Sequence, residues 1–406
     1  HSGIEPQLIT LLQSPLLMDP SNLVMNKRSD GRDHFSKYVP TDGYIDEIHA
    51  GKWYQKSYDT QVKFPDQETM FGVPIYTDRT HVTESGRTGC HPVVATLSIF
   101  NQKCRNDPAT WIILGYISDE VDHHKSSAEK AMERKHNIGV TCQNFHRQLE
   151  VIFSSLVRLQ KKGGLKMMLR LGDEIKEVTI KLPICFIIGD IQSQDKLCGR
   201  YANMNCQRLC RMCDLPKDQT DNPYAQCNLL SPAIIAAKLA DDKFQYLEIT
   251  PEDSKAESKI KNKLNIAIAK LRAETLKPIS QYDIENAFDD LDFGENEHGI
   301  FMATVGDIMH AFEEGLIKYL ILDFLAKVPD RKKAQLEEIL TRRFKANRQT
   351  TASQFPRIAW TPKLTNAKTS STIQCLRLVS PFALLWFFLL CTSHLLHSVE
   401  LIRLAN

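Results

Sequence analysis

The sequence is short of the features that would classify it quickly. Its 406 residues carry a formal charge of only +2, so no overall basic field points to nucleic acid, and any such surface must be a local patch. It has no unbroken apolar stretch of about 20 residues, the length a membrane-spanning helix needs. The most apolar segment, residues 378–391, reaches that length only by running on through His394 and His397. No basic-then-apolar leader opens the chain, because residues 8–18 are broken by Gln13, Ser14 and Pro15. The first residue is His1, so a processed chain or a fragment is expected. There is no internal repeat, and no helix-turn-helix or finger pattern precedes the central region. What is present is ordinary for a globular protein: 42% apolar and 25% charged residues, which argues against wholesale disorder and against a multi-span membrane protein. A chain this long can bury one elaborated domain or two.

Cysteine is plentiful but uneven. Of eleven cysteines, Cys198, Cys206, Cys210, Cys213 and Cys227 crowd into one short stretch. Clustering of this kind without a secretory signal reads as reduced thiols around a metal, in an intracellular compartment. Cys210-Arg211-Met212-Cys213 has the spacing by which two thiolates wrap one tetrahedral Zn²⁺. Unliganded core thiols and a redox pair are the alternatives. Leu209 and Asp214-Leu215-Pro216 do not resemble the flanks of a thioredoxin-like pair. The remaining ligands stay open among Cys198, Cys206, Cys227, His298 and His310.

Hydrophobic periodicity predicts an α/β chain. Strands are expected at residues 73–77, 92–100 and 111–117, each bounded by Gly, Asn, Asp or Pro. A helix is expected over 142–159, where Phe145, Leu149, Ile152, Phe153, Leu156 and Leu159 recur at three- and four-residue steps. A hairpin at 166–171 and 176–182 should follow Gly163-Gly164. Residues 183–189 then read as a strand buried on both faces, because their apolarity is almost continuous. Residues 300–325 read as a long helix. The basic stretch 331–348 could lie along phosphates or form a solvated helix face. His123-His124, among Asp119, Glu120 and Asp122, reads as a solvated loop rather than a metal cluster, and His81 as a satisfied polar residue.

Asp78 and Asp190 each stand at the end of an apolar strand. Strand ends collect ligands in α/β sheets, yet Asp after a strand is commonly only a turn former. The run Val73-Pro74-Ile75-Tyr76-Thr77-Asp78-Arg79-Thr80-His81 resembles the first-aspartate block of Plavaka transposases, within the wider Kyakuja-Dileera-Zisupton group. Phe186-Ile187-Ile188-Gly189-Asp190 resembles the second block. Glu47-Ile48-His49-Ala50-Gly51-Lys52-Trp53-Tyr54 and Gly299-Ile300-Phe301-Met302-Ala303-Thr304 are also similar, and the blocks fall in order across roughly residues 45–325.

The resemblance implies an RNase H-like mixed sheet flanked by helices, with a Cys-rich insertion. It divides the chain into an accessory region at 1–65, a first core part at 66–195, the insertion at 196–297, a helical second core part at 298–395 and a tail at 396–406. It implies that Asp78 and Asp190 are the first two acids of a DDE transposase, holding Mg²⁺ or Mn²⁺ for DNA strand cleavage and transfer at transposon ends in the nucleus. It also makes His310 the first choice to join Cys210 and Cys213 on Zn²⁺. The expected partners are DNA and, as an open alternative, a second copy of the chain; a membrane is not expected. One departure stands out. The third acid should fall near residues 364–385, where there is none; Glu313 and Glu314 come early, and Glu400 lies in unlike surroundings. A catalytically inactive DNA- or protein-binding relic is therefore the alternative. For residues 378–391, a core helix, an out-of-frame tail and a membrane anchor are expected in that order.

Overall fold

The computed structural model describes residues 3–24, 37–39, 47–81, 89–118, 127–171, 174–201, 206–220, 222 and 224–305. The chain divides at Val305. The expectations at His310, the Glu313-Glu314 pair, the basic stretch, the region lacking a third acid and the apolar tail lie outside the described residues, as do His123 and His124. No described helix is long and apolar enough to cross a membrane.

The first half follows its apolar spacing. Helix α1 (Ile4–Gln13) buries Ile4, Leu8, Leu11 and Leu12, and its first N–H donates to the Ser155 hydroxyl at 3.0 Å. Helix α2 (Lys52–Gln61) buries Tyr54 and Tyr58, and Trp53 ties it to the Phe293 carbonyl at 2.8 Å. Strands β1 (Glu68–Met70), β2 (Val73–Thr77), β3 (Thr80–His81) and β4 (Gly89–Ala95) follow. The short helix α3 (Gln102–Arg105) is capped by the Asn101 side chain, and β5 (Ile112–Ser118) comes next. Helix α4 (Ser127–Lys161) extends well upstream of its expected start.

Gly163 and Gly164 turn the chain from α4 into β6 (Leu165–Leu171), which pairs antiparallel with β7 (Glu174–Lys181). Only glycine fits at 164: φ is +123°, and a Cβ would stand 2.4 Å from the Ile180 carbonyl oxygen. Strand β8 (Ile184–Ile188) and helix α5 (Ile191–Leu197) complete the central region. Beyond them lie α6 (Pro232–Lys238), α7 (Lys255–Leu276) and α8 (Ile300–Ala303). Part of α6 and α7 is held by a small separate core of Leu239, Phe244, Leu276 and Ile279.

Two mixed sheets result, flanked by helices. One has the order β1-β7-β6, with β1 parallel to β7. The other is centred on β2, which runs antiparallel to β4 on one side and parallel to β8 on the other. Strand β4 in turn pairs with β5 and, at its start, with the short β3. The first long strand of this sheet thus lies beside the last. Pro74 sits inside the central strand where the β2–β8 register shifts, a place where a missing N–H is tolerated. Helix α4 covers one face closely, because Gly115 of β5 leaves room for Ile152, whose Cγ1 would be 2.8 Å from an added Cβ. Phe145, Leu149, Phe153 and Leu156 share one core with Val73, Ile75, Val93 and Leu114. Each such side chain contributes about 1.5–3 kcal/mol when fully buried.

Two expectations need correction. The second strand ends at Ala95, not Phe100, because Thr96 and Ser98 turn their N–H groups onto the carbonyls of Pro74 and Gly72. In β8 only Ile184 and Ile187 are buried, while Cys185, Phe186 and Ile188 are half-buried. Continuous apolarity therefore did not mean two covered faces. Of the helix expected over residues 300–325, only the start is described: α8 makes one turn and Thr304 is extended, bridging Ile187 in parallel, while residues 306–325 lie outside the described residues.

Candidate functional site

The parallel register that sets Tyr76 opposite Ile188 carries Asp78 and Asp190, each two residues further on, to adjacent strand ends. Gly189 keeps those ends close: a Cβ there would meet the Thr77 carbonyl oxygen at 2.4 Å. Asp190 also caps α5, its Oδ1 accepting the Ser193 N–H at 2.5 Å. The hydroxyl of Ser193 donates to Oδ1 of Asp78 at 3.2 Å, and the same oxygen accepts the Arg79 N–H at 2.7 Å. One serine is thus bonded to both carboxylates. Among the described residues neither Oδ2 accepts a hydrogen bond, and both aspartates are half-buried.

Behind this pair lies a buried polar cluster. Asp195, one turn along α5, faces Arg200 at 3.4 Å and Arg211 at 3.7 Å. Burial pushes the Asp195 carboxyl up, against the pull of the two guanidinium groups, and the Asp190 carboxylate adds to the rise. Arg211 also donates from Nε to Thr304 Oγ1 at 3.1 Å and from Nη2 to Gln194 Oε1. Gln194 in turn donates to the Val305 carbonyl at 2.6 Å. On the other side of α5, His146 Nε2 bonds the Lys196 carbonyl at 3.0 Å, and Nδ1 accepts the Ala287 N–H at 3.2 Å. These partners fix the neutral Nε2–H tautomer. Burial lowers the imidazole to about 4.

The crowded cysteines sort into two groups. Cys198 is buried in the main core, its thiol 3.9 Å from the Ile300 carbonyl. Cys206 donates to the Arg208 carbonyl at 2.8 Å. Cys213, by contrast, has the thiols of Cys210 and Cys227 for neighbours. Burial pushes Cys213 up to about 12, the two adjoining thiols add to the rise, and the Leu215 N–H, donated to the sulfur, opposes it. Among the described residues no three His, Cys, Asp or Glu side chains already stand in metal-holding geometry. His298 uses Nδ1 on the Leu230 carbonyl at 3.0 Å.

A model of the Plavaka transposase family matches residues 29–322, well over half of the chain. The chain belongs to the Plavaka transposase family. No curated protein matches it. The family range takes in both aspartates, Ser193 and the whole cysteine cluster.

Ser193, Arg211 and Asp195 were not singled out by sequence reasoning. A helix beginning one residue after Asp190 was the available signal for Ser193, because an N-cap carboxylate meets the backbone three residues on. Nothing local marks Arg211, whose partners lie 17 and 93 residues away.

Proposed function

We propose that this chain is a transposon-derived DDE-type transposase of RNase H-like fold, which cleaves and transfers DNA strands at transposon ends. The observation that carries the reading is the meeting of Asp78 and Asp190 at neighbouring strand ends through one serine, 115 residues from Asp78 in the chain. The strand order supports the fold assignment, since three antiparallel strands, a helix and a parallel strand beside the first make the frame expected of it. Hard divalent cations take oxygen ligands and keep several waters, so two carboxylates with Oδ2 free among the described residues suit Mg²⁺ or Mn²⁺. When bound at such a pair, these ions activate the attacking hydroxyl and stabilise the leaving oxygen. The chain's own part is to hold Asp78 and Asp190 in one orientation. Ser193 does so from the start of α5, and Gly189 by letting the strands close.

Around this centre the reading keeps the Cys-rich region, 196–297, as an insertion in which Cys210 and Cys213 bind a structural Zn²⁺. It also keeps DNA as the partner, self-association as an open property and the nucleus as the place of action. A nicking assay on supercoiled DNA tests it: purified chain should cleave with Mg²⁺ or Mn²⁺, and Asp78→Asn should not. Absence of metal-dependent cleavage by the native chain sinks the enzyme reading.

A second reading, an inactive DNA- or protein-binding descendant, draws on a specific observation. Asp190 already serves as a helix cap, Asp78 bonds its own neighbour's N–H, and Asp195 is committed to two arginines. Retained DNA binding without cleavage would favour it.

A further inference from the structure

We propose that helix α7 presents a coiled-coil seam on which an acidic amphipathic helix of another protein docks. The inference depends on neither the nuclease nor the zinc reading. Along α7, Ile260, Leu264, Ala267 and Leu271 succeed one another at steps of four, three and four residues. That is the seven-residue repeat by which two helices pair. Ile260 is 58% exposed, Leu264 47% and Leu271 39%, and Ala267 is exposed as well. A single exposed leucine needs no explanation, but an apolar stripe running about 16 Å along one face of a helix marks a contact surface.

The helix is anchored through a different face. Arg272 bonds the two carboxylate oxygens of Asp283 at 2.7 Å each. Asn265 exchanges bonds with the Leu247 backbone at 2.8 and 2.9 Å, and Leu276 is buried with Phe244 and Ile279. The capping box at Ser254 and Glu257 closes the first turn. The seam is therefore preformed, and docking need not order it first.

Charge selects the partner. Helix α7 carries six basic side chains against two acidic ones. Lys263 and Lys270 each stand immediately before a seam leucine, the flanking position whose charge sets partner choice. Both are exposed, and among the described residues neither is held in an ion pair. Lys261, on the other flank, is already bonded to Asp253 at 2.7 Å. A partner with glutamate or aspartate along its own flanks satisfies the two lysines. Its larger apolar side chains fill the hole left at Ala267.

A second copy of this chain fits poorly in either direction. Side by side in parallel, Glu257 would face Glu257 and Glu274 would face Glu274 at the two ends of the seam. Antiparallel, with the apolar stripe matched, Glu257 would meet Glu274 and Lys263 would fall beside Lys270 of the other copy. Like charges at these positions repel. Nucleic acid would use the lysines and leave the apolar stripe uncovered.

The test is fluorescence anisotropy of two labelled synthetic peptides titrated with the full chain. Both carry leucine at every seam position; one has glutamate and the other lysine at the flanks, so each repels itself and stays unpaired. The glutamate peptide should bind, more weakly as salt rises, and the lysine peptide should bind about tenfold more weakly or not at all. Lys263→Glu with Lys270→Glu should reverse the preference. Leu264→Asp, a change at an exposed position that should leave the circular dichroism native, should abolish binding of both. Equal binding of the two peptides, no binding of either, or binding that survives both sets of substitutions would overturn the proposal. So would self-association of the native chain that Leu264→Asp removes, which would give the seam to a second copy. Binding of a labelled DNA duplex that is lost with the two lysines, kept in Leu264→Asp and unaffected by excess glutamate peptide would give the face to phosphates instead.

Discussion

The carboxylate pair and the cysteine loop are built in opposite ways. Asp78 and Asp190 lie more than a hundred residues apart, and nothing in either segment alone brings them together. A parallel strand pairing does so, backed by the core between α4 and the sheet. Cys210 and Cys213 are neighbours by chain spacing, and a short clamp between Asp214 and Asn228 ties the segment carrying Cys227 to theirs. The first site should therefore fail when the sheet is disturbed anywhere near its edge. The second should survive such damage and fail only through its own residues. Arg211 is where the two meet, since it sits in the cysteine loop and bonds the helix behind Asp190.

The sharpest way to break this comparison is Asp190→Asn. Asparagine is as good a helix cap as aspartate, so stability should hardly move, whereas loss of a metal-binding charge should cost several kcal/mol of transition-state stabilisation, roughly a thousandfold in nicking rate. Large destabilisation, or unchanged cleavage, would remove Asp190 from the proposed centre. Next in size is Gly189→Ala, whose methyl must push the Thr77 carbonyl away. Urea unfolding should show a loss of about 1–3 kcal/mol, typical of overpacking. Cleavage should fall while Co²⁺ binding at the cysteines stays native; loss of both would mean the two regions are not separate.

Acid offers a third handle. His146 is held neutral, with its imidazole at about 4 against an ordinary 6.5. Its contribution is complete above 6.5 and is lost as pH falls toward 4, because the unfolded chain takes the proton first. Between pH 7.5 and pH 5 stability should drop by about 2 kcal/mol from this group. Buried His49, lowered to about 3, acts in the same direction. His146→Gln should flatten the urea-midpoint profile over that interval; an unchanged slope would mean that His146 is not buried as described. The smallest effect tests the outlying helix α7, whose capping box joins Ser254 and Glu257. Ser254→Ala should cost about 1 kcal/mol, visible as a modest fall in helical signal, with nicking and Co²⁺ binding untouched.

Much of this architecture could be read from residues alone. The spacing of Phe145, Leu149, Phe153 and Leu156 announced α4, and Gly163-Gly164 announced the turn into the β6–β7 hairpin. Strand β8 was visible as an apolar run, but its half-buried residues were not, since apolarity records what a residue tolerates and not what covers it. At Thr304 a tertiary bridge to Ile187 outweighs local helical preference and sets the end of α8. At the carboxylate site the two aspartates were legible as strand-end acids, but Ser193 was not, because it acts through a hydroxyl reaching another strand. In the cysteine cluster the C-x-x-C was plain, while the separate roles of Cys198, Cys206 and Cys227 depended on which carbonyl or thiol each one meets.

By itself the sequence determined the short-range order of this protein: where most strands and helices form, where glycine must turn the chain, and that Cys210 and Cys213 lie within one turn of each other. Those outcomes depend on backbone preference and side-chain periodicity over a few residues, which local chemistry controls. Only the tertiary structure decided that Asp78 and Asp190 share one serine and that Arg211 reaches α5. Such meetings depend on strand register and on burial of a common core, which are properties of the whole folded unit and of no single segment.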